Sequence, residues 1–171
     1  PAFVAGLEKG FGLECDLQPA RDGTPMVFHD FTLDRLTNDK GPIAARTPAA
    51  LAKLRYKGAK NVGILPYADF LDLCAGRGPL LVEVKSDWSK PSVKFLKEIA
   101  RLSLNYKVPI ALMSFDPAVM AILAELAPKV PRGIVAGVYK GDGWWIETIG
   151  QARADRLTNL LESGPTKPSF Y

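Results

Sequence analysis

Hydrophobic and polar positions change period several times along this chain. Residues 2–9 carry apolar side chains at helical spacing, and Gly10 and Gly12 then supply a stop, which predicts the end of a helix. Leu13-Glu14-Cys15-Asp16-Leu17-Gln18 alternates with period two and predicts a strand. Asp22-Gly23 marks a tight turn, and Pro25-Met26-Val27-Phe28 predicts a second short strand ending at His29-Asp30. Residues 31–47 are polar and irregular, with Asn38, Asp39, Gly41 and Pro42 as breakers. Thr47-Pro48 then opens a short helix expected to reach Leu54, with proline in its first turn. Helical spacing follows over 67–75, 92–105, 117–126 and 146–161, and apolar strand-like runs over 80–85, 109–113 and 133–138.

Strands separated by helices of about ten residues or more need crossover connections and a mainly parallel sheet. Several of these strands are apolar on both faces, as expected where helices cover one side and a core fills the other. The candidates are a doubly wound sheet and a (β/α)₈ barrel. A doubly wound nucleotide fold needs a glycine-rich turn after its first strand. The chain has no G-x-G-x-x-G or Walker pattern, so the expectation moves to the barrel.

Composition narrows the class. Of 171 residues, 47% are hydrophobic and 23% charged, which is ordinary globular usage and excludes a disordered chain. Cys15 and Cys74 are too few for a disulfide scaffold and form no C-x-x-C pair, so two buried reduced thiols are expected, as in a cytoplasmic protein. Lys and Arg number 22 against 18 Asp and Glu, a scattered net charge of +4 with no basic stripe for nucleic acid. No apolar run approaches the roughly 18 residues of a membrane span. The chain begins at Pro1 and stops at Tyr171 within an apolar stretch, so both ends read as cut.

Three acidic residues and one histidine stand out by position. Glu14 and Asp16 are two apart on a strand and share a face. Such a pair is either a solvated edge or an inward-facing site, and the flanking Leu13 and Leu17 argue for the latter. Like charges on one face need a positive partner, and a hard divalent cation such as Mg²⁺ or Ca²⁺ prefers oxygen ligands. Glu83 and Lys85 repeat the spacing at a strand's C-terminal end, where barrel active sites lie. His29 is the single histidine. Trp144-Trp145, after Lys140-Gly141-Asp142-Gly143, either rims such a mouth or packs the next helix.

The stretch from Gly12-Leu13-Glu14-Cys15-Asp16-Leu17 through Arg21-Asp22-Gly23 and Val27-Phe28-His29-Asp30 to Leu33-Asp34-Arg35-Leu36-Thr37 closely resembles the glycerophosphodiester phosphodiesterase family. That family shows an E-x-D strand, a D-G turn, a V-x-H-D segment and an L-x-R-x-T segment. Leu81-Val82-Glu83-Val84-Lys85 looks like its E-x-K strand, and Ser114-Phe115-Asp116 like its S-F-D. Leu65-Pro66 with Phe70-Leu71 resembles its I-P-T-L-x-E-x-L segment, with Tyr67 in place of threonine.

The resemblance implies a (β/α)₈ TIM barrel, here strands two to about six, forming one partial domain over 1–171. It implies hydrolysis of small-molecule glycerophosphodiesters to glycerol 3-phosphate and an alcohol, within glycerol and lipid metabolism, with Mg²⁺ or Ca²⁺. Carried over, Glu14, Asp16 and Glu83 are metal ligands, His29 is one of two catalytic histidines, and Lys85 binds phosphate. The family's H-R-G and E-N-[ST] motifs, which supply the second histidine, an arginine and a further acid, are absent from the sequence. Little or no turnover is therefore expected of this chain alone. The alternatives are a related barrel phospholipase or sphingomyelinase D-like phosphodiesterase, and a non-catalytic barrel that only binds ligand.

Overall fold

A computed structural model describes residues 1–59, 62–141 and 143–171, with the side chain of Trp144 outside that description. Six strands form one open sheet: β1 (Leu13–Pro19), β2 (Pro25–Val27), β3 (Leu65–Pro66), β4 (Leu80–Val84), β5 (Ile110–Ser114) and β6 (Arg132–Ile134), in the spatial order β3-β2-β1-β4-β5-β6. The run β1-β4-β5-β6 is parallel, as the helical spacers require. β2 runs antiparallel to both its neighbours, β1 and β3. Its hairpin has a local cause: Asp22 Oδ1 accepts from the Thr24 N–H at 3.0 Å, and Gly23 takes φ +87°.

The helices are α1 (Ala2–Glu8), α2 (Pro48–Leu51), α3 (Tyr67–Cys74), α4 (Val93–Asn105), α5 (Pro117–Leu126), α6 (Trp144–Ile149) and α7 (Gln151–Thr158). Ser92 caps α4 by accepting from the Phe95 N–H, and Asp116 caps α5 by accepting from the Ala118 N–H at 3.0 Å. One face of the sheet packs on these helices. Leu17, Val82, Val84, Ile99, Leu112 and Met120 make the centre of that core, each at most 1% exposed. A second cluster, with Met26, Phe28, Leu33, Ile43, Leu51 and Ile64, closes the irregular segment beyond β2.

Three expectations from periodicity change, and one short strand was not expected from it. The strand expected over 133–138 ends at Ile134, after which the chain leaves the sheet and reaches Tyr139 at a cavity. The helix expected over 146–161 is two helices, because Gly150 takes φ +75° and ψ 156° between α6 and α7. The helix after Thr47 ends at Leu51, with Leu54 already in a tighter turn on Leu51. Leu65–Pro66 is a strand at the sheet's edge, where a missing proline N–H leaves no interior ladder bond unmade. At the other edge Phe170 bridges Gly133 in parallel, and its ring lies where a Cβ on Gly133 would stand, so only glycine fits.

Candidate active site

In the parallel pairing of β1 with β4, Asp16 stands beside Glu83 and Leu17 beside Val84. Neighbours in register share a face, so the alternation divides these strands cleanly. Cys15, Leu17, Val82 and Val84 enter the core, while Glu14, Asp16, Glu83 and the following Lys85 face away from it. One oxygen from each of Glu14, Asp16 and Glu83 lies within 4.8 Å of the other two. Lys85 Nζ stands 2.9 Å from Asp16 Oδ1 and 2.7 Å from Glu83 Oε1. It supplies the positive charge that holds two carboxylates together. Burial alone would pull the Lys85 ammonium down, but its hydrogen bonds to Glu83 and Asp16 outweigh that and raise its pKa. Glu14 touches solvent, yet partial burial and the charges of Asp16 and Glu83 raise its carboxyl above the usual range, against the pull of Lys85 and His29. An all-oxygen cluster with one member carrying unrelieved repulsion fits a hard divalent cation.

The end of β2 brings His29 to the same side. The Phe28 N–H donates to the Asp16 carbonyl at 2.9 Å, and the Gln18 side chain donates to the His29 carbonyl at 3.2 Å. His29 Nδ1 lies 2.7 Å from Asp30 Oδ1, and Asp30 takes both arms of the Arg35 guanidinium at 2.6 and 2.7 Å. The Arg35 bonds, joined by His29, hold the Asp30 carboxyl below the usual aspartate range despite partial burial. A charged Asp30 fixes the imidazole orientation and leaves Nε2 for a ligand.

His29, Asp30, Glu83 and Lys85 line a cavity of about 580 Å³. Ser86 and Trp88 continue the lining past the end of β4, and Tyr139 and Trp145 close it from beyond β6. That volume is ordinary for a small-molecule site. Glu14 and Asp16 do not line it and sit beside Glu83 on the adjoining strand.

Residues 1–142 match the glycerophosphoryl diester phosphodiesterase family. The chain belongs to that family. It is 28% identical over 153 residues to a probable glycerophosphodiester phosphodiesterase 1 of Mycobacterium tuberculosis, covering 76% of this chain and 56% of that protein. A glycerophosphodiester phosphodiesterase of Caldanaerobacter subterraneus is 28% identical over 144 residues, covering 78% of this chain and 58% of its own length. The chain thus spans somewhat more than half the length of these relatives. Its fold is similar to that of a putative glycerophosphoryl diester phosphodiesterase from Silicibacter pomeroyi, with TM-score 0.70 and 18% identity over 98% of this chain and 82% of that one. A phosphodiesterase of Oleispira antarctica, solved with sn-glycerol-3-phosphate, matches with TM-score 0.64 and 22% identity over 90% and 63% of the two chains. The α/β barrel-type fold follows from these likenesses, and six strands of it are present here.

The family motifs singled out in the sequence converge: Glu14, Asp16, Glu83 and Lys85 meet on one face, and His29 lines the same cavity as Glu83 and Lys85. Trp145 lines the cavity and also packs edge-on against Tyr139, so both readings of that position hold together, while Asp142 and the Trp144 side chain lie outside the described residues. Ser86, Trp88 and Tyr139 escaped the sequence reading. For Ser86 and Trp88 a signal existed, because they directly follow the E-x-K strand at its functional end. Tyr139 was hidden by the expected continuation of a strand to residue 138. Asp116, noted only within S-F-D, proves to be 1% exposed and central to a buried polar network.

Proposed function

We propose that this site hydrolyses glycerophosphodiesters to glycerol 3-phosphate and an alcohol with the help of a divalent cation. The observation that carries the reading is that the three-carboxylate cluster, bridged by Lys85, adjoins through Glu83 and Lys85 the cavity that His29 also lines. The product-bound Oleispira relative agrees with it. In the reaction a water oxygen forms a bond to phosphorus and the bond from phosphorus to the alcohol oxygen breaks. One proton leaves the water and one reaches the departing oxygen. Glu14, Asp16 and Glu83 would hold Mg²⁺ or Ca²⁺, which supplies charge to a non-bridging phosphate oxygen when bound. Lys85 Nζ neutralises the anionic phosphate, and His29 Nε2 moves one of the two protons, a task worth roughly 10²–10⁴-fold. His29 is the one histidine among residues 1–171, so within this segment the second proton falls to a group other than histidine.

Calorimetry of chain 1–171 with Ca²⁺ or Mg²⁺, then with sn-glycerol 3-phosphate, tests the reading. The expected result is cation binding that Glu83→Gln abolishes, phosphate binding that Lys85→Met weakens, and slow or undetectable release of glycerol 3-phosphate from glycerophosphocholine. Absence of any cation binding sinks the proposal. Turnover at the rate of a two-histidine enzyme would refute the role given to the missing proton carrier.

A further inference from the structure

Part of the lining of this cavity is apolar and partly uncovered. Phe31, Phe115 and Val138 line it, and all three are exposed, Val138 to 69%. Behind them the Tyr139 ring stands edge-on to Trp88 and Trp145, with centroids 6.0 and 6.4 Å apart. Uncovered apolar side chains gathered beside polar groups mark a binding surface rather than ordinary scatter.

This wall is held by a specific polar network. Trp88 has φ +64°, a conformation that persists in a non-glycine residue only where its surroundings impose it. Its N–H donates to Ser86 Oγ at 3.0 Å, and Ser86 Oγ donates to Asp116 Oδ2 at 2.7 Å. Arg153 donates to Asp116 Oδ1 at 3.2 Å while its guanidinium lies 5.4 Å from the centre of the Trp88 ring. Buried Asp116 therefore positions Trp88 twice, through its backbone and through its ring.

Aromatic walls accept either a quaternary ammonium or an apolar chain, and charge decides between them. The Arg153 cation already takes Trp88, and Lys85 lines the same cavity. Among the described lining residues the carboxylates are Asp30 and Glu83, paired with Arg35 and Lys85. A cationic head group would meet two fixed cations and no free carboxylate. An uncharged chain meets neither penalty.

We propose that the wall of Phe31, Trp88, Phe115, Val138, Tyr139 and Trp145 receives the alcohol side of a phosphodiester whose alcohol carries an alkyl or acyl chain. The assignment rests on the phosphodiesterase reading for where the phosphate sits, beside Lys85 and His29. Its occupant is a lipid-like leaving group rather than choline.

The test is binding to chain 1–171, read by calorimetry and tryptophan fluorescence, with Ca²⁺ present and absent. The probes are octyl phosphate, butyl phosphate, phosphocholine and sn-glycerol 3-phosphate. Octyl phosphate is expected to bind roughly tenfold or more tighter than butyl phosphate, because added methylenes leave water. Phosphocholine is expected to bind no tighter than sn-glycerol 3-phosphate. Val138→Asp, a change at an exposed position, and Trp88→Ala, with circular dichroism checking its fold, should each erase the chain-length effect. Equal binding of the two alkyl phosphates, preference for phosphocholine, or an unaffected Val138→Asp variant overturns the proposal. Sedimentation of the same samples covers another occupant: a dimer that Val138→Asp dissociates, without alkyl binding, assigns the wall to a second copy and overturns it too. Loss of Ca²⁺ and sn-glycerol 3-phosphate binding with the chain-length effect retained would count against the phosphodiesterase reading alone.

Discussion

The two faces of β1 and β4 come from alternate residues of the same short segments, yet they follow opposite rules. On the helix side Leu17, Val82 and Val84 are sealed, and their burial drives folding. On the other side Glu14, Asp16, Glu83 and Lys85 bring charges together that would be further apart in an unfolded chain. The first face gains by excluding water. The second accepts repulsion, relieved only in part by one lysine, and so retains capacity to bind a cation. Stability and chemistry are thus separated by a single-residue alternation, and substitutions on the two faces should differ in kind as well as size.

The largest effect is expected on the sealed face. Phe70 is fully buried in α3, and its ring meets Phe3 edge-on at 4.8 Å. Phe70→Ala should cost about 3–5 kcal/mol, as for other buried aromatic truncations, and added Ca²⁺ should not change the size of that loss. Urea unfolding with and without Ca²⁺ measures both; a cation-dependent cost would blur the separation of the faces.

Lys85→Met probes the charged face. It leaves Asp16 and Glu83 with no ammonium between them, at a cost of about 1–3 kcal/mol for unpaired, largely buried carboxylates. Here Ca²⁺ should restore much of the loss, since a cation replaces the missing charge. Unfolding midpoints that stay low as Ca²⁺ is added would show that the three carboxylates do not form a cation site.

Glu14→Gln should act in the opposite direction. It removes a carboxyl whose pKa is raised by burial and by its two acidic neighbours. The metal-free chain should become slightly more stable, by less than about 1 kcal/mol given solvent screening, while cation affinity falls. Thermal unfolding and calorimetry on one variant read the two changes together. Lower stability without added cation would contradict the repulsion argument.

The sealed face was legible in the sequence because periodicity reports burial directly, and the strand of Leu80–Val84 and the helices of Val93–Asn105 and Pro117–Leu126 lie where spacing puts them to within about a residue or two. The charged face was legible for another reason: i, i+2 spacing fixes a shared face, so Glu14 with Asp16 and Glu83 with Lys85 were paired before any register was known. What periodicity does not encode is the path after a strand ends. Tyr139 reaches the cavity because the chain leaves the sheet at Ile134, and α6 and α7 separate because Gly150 takes a positive φ, both matters of tertiary context. Lys85 was read as a phosphate ligand, and its ion pairs with Asp16 and Glu83 depend on which strands become neighbours.

The smallest expected effect lies where the charged face meets solvent. Asp30 joins His29 to Arg35, and the Arg35 bonds hold its carboxyl below the ordinary aspartate value of about 3.9. A depressed folded-state pKa means that the unfolded chain binds the proton first as pH falls. The contribution of Asp30 to stability is therefore complete above that ordinary value and disappears as pH drops through the lower folded-state value. Asp30→Asn should lower stability modestly at neutral pH, and its difference from the parent should shrink below about pH 4. Urea midpoints of both proteins between neutral pH and pH 3 would show the two curves converging in acid; a constant or widening gap would mean that packing of residue 30, rather than its charge, holds the His29 loop.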